Sequence, residues 1–233
     1  KISNELQKLN IESDFKGNKV IAWCTLQCTK LITEINNRYG LNLALPNGIF
    51  VEDFNRLNIN NKDAFGFMNF APTFLHSNKK IITPEKTIFF NEFKDMNYKG
   101  RNKIWEKADE IADMNFENRS ATTDFFLETF LHEFAHVMHE GNIQTKIHNG
   151  SDLINIITSM LKGQNPTLQK LQPKIAEKIC QYATTNQLEM TACDLTKRIL
   201  DNASRETLQP IDNFTKNSPY EVKNVFREIF TSR

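Results

Sequence analysis

Residues 125–136 read Phe125-Phe126-Leu127-Glu128-Thr129-Phe130-Leu131-His132-Glu133-Phe134-Ala135-His136. The last five residues form an HExxH signature. On a helix, positions i and i+4 lie on one face, one turn apart. Two imidazoles so placed can grip one zinc ion, and Glu133 can address a water bound to it. The bland alternative is a helix that carries two histidines by chance. The chain has five histidines and this short motif uses two of them, so chance is the weaker account.

The flanks support a helix. Ser120-Ala121-Thr122-Thr123-Asp124 offers N-cap oxygens and an acid for the first turn. Gly141 suits the left-handed position just past a helix end. The pattern predicts a helix from about Thr123 to Glu140, or about five turns. Phe126, Phe130, Phe134 and Val137 form its core stripe. A motif on such an anchored helix has the rigidity that a metal site needs.

A zinc hydrolase site takes three protein ligands and keeps a fourth position open for water. Three residues compete for the third place. His139 shares the face of His132 and His136 but lies one turn too far along the axis for a compact tetrahedron. It would equally serve as a cation near the helix C-terminus. His148 follows a loop and could swing in. Glu189 stands in the first turn of a second helix, capped by Thr185 or Asn186 and running to about Asn202. It would complete a His-His-Glu set. Spacing alone leaves Glu189 either a ligand or a first-turn acid placed for the helix dipole.

The segment Tyr182…Asn186…Glu189…Ala192 adds a second motif. At those offsets, and with the HExxH helix before it, the chain resembles the gluzincin peptidases related to anthrax lethal factor, a group that includes the Pro-Pro endopeptidases. His132-Glu133-Phe134 and Ser151-Asp152-Leu153 are similar to that family's intervening stretch. The resemblance covers about residues 125–200. It implies one zinc held by His132, His136 and Glu189. It implies Glu133 as general base and Tyr182 as a hydroxyl that aids the transition state. One departure stands out. Where the family often carries an acid to support a histidine ligand, four residues after the metal-binding glutamate, this chain has Cys193, with Asp194 next. The support of that histidine is therefore expected to be built differently.

Length and composition bound the rest. A chain of 233 residues can bury a real core without disulfide staples. Lys+Arg 29 against Asp+Glu 28 gives net charge +1, and no basic face is evident, so nucleic acid is not the expected partner. No stretch reaches the length of a membrane-spanning helix. The chain opens at Lys1 with no signal peptide, which leaves its compartment open. The family resemblance points toward a secreted or host-exported protein, with the cytoplasm as the alternative. Cys24 and Cys28, at i and i+4 with Val20, Leu31 and Ile35, are expected as core thiols. Cys180 and Cys193 are expected to be buried or bridged.

Periodicity and turn chemistry place the other elements. A helix is predicted over 19–39, ended by Gly40. Short strands are predicted at Leu41–Leu45 and Ile49–Val51, around Pro46-Asn47-Gly48. Phe65–Phe70 and Thr87–Phe90 are β-forming runs bounded by turn residues. Either could be a sheet edge that binds an extended peptide, or simply a core strand. Helices are predicted over 103–114, 151–161, most of 166–182, 186–202 and 219–231. The expectation is one α+β, zincin-like domain. An N-terminal sheet lobe (1–118) and a helical C-terminal lobe (119–233) would hold zinc in the cleft between them. The expected activity is zinc-dependent hydrolysis of peptide bonds in a protein or peptide substrate. The competitors are a zinc hydrolase acting on another bond and a zinc-stabilised binding protein without turnover.

Overall fold

The computed structural model describes residues 1–55, 57, 64–69, 72, 74–76, 80–92, 113–118, 121, 127–144, 173–174, 177–185 and 187–200. A short helix α1 (Ile2–Gln7) and strand β1 (Glu12–Asp14) lead into the long helix α2 (Lys19–Tyr39). Asn18 starts α2: its side-chain oxygen accepts from the Ile21 backbone N–H at 3.1 Å, satisfying one of the orphan donors of the first turn. Gly40 ends it at φ 65°, a left-handed conformation that glycine adopts without a Cβ clash. Val20, Ile21, Cys24, Cys28, Ile32 and Ile35 form its buried stripe. The two cysteines there are free core thiols, as expected.

Strands β2 (Gly48–Glu52), β3 (Gly66–Asn69) and β6 (Thr87–Asn91) join β1 in a four-stranded sheet of order β1-β2-β6-β3. β1, β2 and β6 are parallel, and β3 runs antiparallel to β6 at the edge. β4 (Phe74–His76) and β5 (Lys80–Ile82) make a separate antiparallel pair. Every residue of β2 and β6 is buried, which suits apolar strands covered on both faces. Alternation divides their side chains. Ile49, Val51, Ile88 and Phe90 join the main core with α2. Phe50 and Phe89 point the other way, into a smaller cluster with Phe54 and Phe67.

Two further long helices are α3 (Glu128–Gln144) and α4 (Gln187–Leu200). They pack on each other, and α3 also packs on β3 and α2. Residues 113–117 are helical too. The class is thus α+β, with helices around a small mixed sheet. No helix among the described residues is long and apolar enough to cross a membrane.

Several boundaries differ from the sequence expectation. Leu41–Leu45 is not a strand. Its Leu43 backbone is satisfied locally: Leu43 N–H donates to Asn36 Oδ1 at 2.8 Å, and Asn36 Nδ2 donates to the Leu43 carbonyl at 3.0 Å. A side-chain amide on α2 thus stands where a neighbouring strand was expected. α3 runs through Gly141 to Gln144, so that glycine does not end it. A single interior glycine costs only about 1 kcal/mol, and the surrounding turns carry it. Residues 122–126, with the expected N-cap and Phe126, lie outside the described residues, as do 103–112, 151–161 and 219–231. The polar β1 and the short β4–β5 pair carried too little apolar alternation to be foreseen.

Candidate metal centre

The site is built on α3. Phe130 fixes this helix to the sheet: its ring meets Phe65 edge-on with centroids 5.1 Å apart, and lies 5.1 Å from Phe90. Leu131, Phe134, Ala135 and Met138 are fully buried around it. The facing helix α4 buries Met190, Ala192, Leu195 and Thr196. With both backbones so held, side chains on the facing surfaces have little freedom.

Three of them converge. His132 Nε2 lies 2.9 Å from Glu189 Oε2 and 3.1 Å from His136 Nε2, and His136 Nε2 lies 3.4 Å from Glu189 Oε2. Among the described residues, these three form the group that could hold a metal ion. A circle through the three atoms has a radius of about 1.8 Å, close to the usual zinc–ligand distance of about 2.0–2.1 Å, so the group fits such an ion. Two imidazoles and a carboxylate are also the donor types a borderline ion prefers. Burial opposes the charge on Glu189. The hydrogen bonds and charge of His132 and His136 outweigh it and hold its carboxyl well below the usual range. The sequence left its role open between ligand and dipole acid, and the geometry places it against both histidines.

His139 does not join the group. It is 3% exposed, and burial, then the neighbouring His136, pushes its pKa down to about 3. It is therefore a neutral ring near neutral pH. The alternative expectation, a cation at the helix end, is corrected as well, because α3 continues past it to Gln144. His148 lies outside the described residues, and His76 is on β4 of the separate strand pair.

Glu133 points to the sheet. A Cβ placed on Gly66 of β3 would come within 3.1 Å of Glu133 Cγ and 3.2 Å of its Cδ and Oε1. The carboxylate thus lies in the space that this glycine leaves free. Gly66 was not singled out from sequence, although a glycine within an apolar strand is the signal of such a close approach.

Tyr182 opens a 3-10 turn, Tyr182–Thr184, just before α4. Thr184 closes this turn by donating from its hydroxyl to the Gln181 carbonyl at 2.7 Å, while Ala183 and Thr184 are buried. The bend brings Tyr182 to the site: its ring centroid is 5.9 Å from that of His132. The residue as a whole is 41% exposed. Burial, the charges of Glu189 and Glu133, and its hydrogen bond to Glu189 all push its pKa up, so it stays a phenol and a donor. Asn186 lies outside the described residues.

Cys180 and Cys193 are buried free thiols, not a bridge. Cys193 Sγ lies 3.8 Å from His132 Nδ1. Asp194, the other acid near this position, pairs instead with Arg198 at 2.9 Å. No family model, curated protein or solved structure matches the chain.

Proposed function

We propose that the chain is a zinc-dependent endopeptidase working by a gluzincin mechanism. One observation carries this reading above the others. A carboxylate 57 residues from His132 in sequence meets both HExxH histidines at ligand spacing. In this reading, residues 1–118 and 119–233 form the two lobes of a zincin-like domain with zinc between them.

His132, His136 and Glu189 would hold the ion, and its bound form would supply Lewis acidity and a water ionising near neutral pH. Glu133 takes the proton of the attacking water and later delivers it to the leaving amine. Tyr182 donates its hydroxyl to the oxyanion of the tetrahedral state. Among the described residues β3 lies at one edge of the sheet, the edge packed on α3, and β6 is internal, so of these two β3 is the one suited to take an extended peptide by strand addition. Tyr182 close to His132, and a Glu133 carboxylate near enough for its charge to act on Tyr182, favour turnover over a purely structural site, which needs no base.

A peptide-library cleavage assay with added zinc tests the reading. Cleavage is expected from the parent. Glu133→Gln should keep its zinc and lose about 10²–10⁴-fold in rate. Tyr182→Phe should also keep zinc and lose about 10²–10³-fold, mainly in kcat. Glu133→Gln activity within a few-fold of the parent would move the site to a non-catalytic role.

A further inference from the structure

A histidine that binds metal through one ring nitrogen normally donates the N–H of the other to an acceptor. That contact fixes its tautomer and its orientation. His132 turns Nε2 toward Glu189 and His136, which leaves Nδ1 facing away from the ligand group. The atom facing Nδ1 is Cys193 Sγ, 3.8 Å away and within hydrogen-bonding reach of sulfur. The nearby carboxylate of Asp194 is held by Arg198 on its own helix. Cys193 stands four residues after Glu189 on α4, so one helix face presents the carboxylate to the metal position and the sulfur to the ring beside it. Cys193 is in turn hydrogen-bonded to Cys180, which precedes the Tyr182 turn by two residues. Both thiols are 3% exposed.

We infer that Cys193, backed by Cys180, is the positioning residue for His132, a sulfur acceptor that holds the imidazole ready for the metal. This inference rests on the metal-centre reading. With Cys180 to take the S–H of Cys193, a sulfur lone pair of Cys193 would be available to an N–H at His132 Nδ1, 3.8 Å away. The thiol pair thereby ties together the three pieces that build the site: α3 through His132, α4 through Cys193, and the turn carrying Tyr182 through Cys180.

The test is zinc affinity by chelator competition on the full chain, kept reduced. Cys193→Ala should bind zinc about 10–100-fold more weakly than the parent, the usual consequence of losing such a partner. Cys193→Ser keeps an acceptor and should fall nearer the parent. Cys28→Ala removes an equally buried thiol on α2 and should leave zinc affinity unchanged, which separates ligand positioning from loosening of the core. The inference is overturned if Cys193→Ala binds zinc within about two-fold of the parent, or if Cys28→Ala weakens it as much. Absence of zinc from the parent overturns the metal centre itself. Normal zinc in the parent with unchanged affinity in Cys193→Ala overturns the thiol's role alone.

Discussion

At the scale of single residues, Gly66 of β3 lies against the Glu133 carboxylate. Its missing side chain gives the Glu133 carboxylate its place against β3. Gly66 has no left-handed backbone, so alanine strains nothing there except this contact. Because α3 is pinned by Phe130, the added methyl should displace the carboxylate and leave the helix in place. Gly66→Ala should therefore keep one equivalent of zinc while kcat/KM falls by about tenfold or more, since small misplacements of a reacting group are costly. Full activity with normal zinc would show that Glu133 does not work from this position. The residues of the site were unequally legible in the sequence. His132 and His136 could be read because i and i+4 on a helix are neighbours whatever the fold. Glu189 could not be settled, since an acid in a first turn serves the helix dipole equally well. The Cys193 contact depends on how two helices face each other, which no local spacing records.

At the scale of elements, the strongest periodicities were read correctly, but the end of α3 was not. α2 was legible over 19–39 because its apolar stripe stops at Gly40, whereas its Asn18 cap was not singled out. β3 and β6 were legible as apolar runs between turn residues, but which of them lies at the edge is a property of the sheet. Leu41–Leu45 looked like a strand and is held by Asn36 instead, a competition that composition does not reveal. α2 also makes a testable demand on pH. Burial pushes the Cys24 thiol up from 9.0 to about 12, and burial followed by the neighbouring Cys24 raises Cys28 as well. Below about pH 9 both folded and unfolded thiols keep their protons, and this contribution to stability is fully present. Between about pH 9 and 12 the unfolded chain releases protons that the fold retains, so stability falls, by at most about 1.4 kcal/mol per pH unit and thiol. Denaturant unfolding in a reducing buffer at about pH 8 and about pH 10.5 should show this loss, and Cys24→Ala should show less of it. Equal losses in parent and variant would mean that Cys24 ionises freely in the fold.

At the scale of the whole molecule, α+β organisation followed from strands in the first half and long amphipathic patterns in the second. The meeting of α3 and α4 did not follow, because it joins residues 57 apart through packing that only the folded chain creates. That meeting is also the basis of the functional reading. If the three converging atoms are a metal site, zinc should bind the folded chain and not the unfolded one. It should then stabilise the fold by about 2.7 kcal/mol at a free concentration of 100 times Kd. The most direct measurement is zinc per chain in the purified parent and in His132→Ala, His136→Ala, Glu189→Ala and His139→Ala. The account predicts about one equivalent in the parent and in His139→Ala, and little in the other three, in line with a three-ligand site. Zinc retained by Glu189→Ala but lost from His139→Ala would contradict it, and would make the third ligand a histidine.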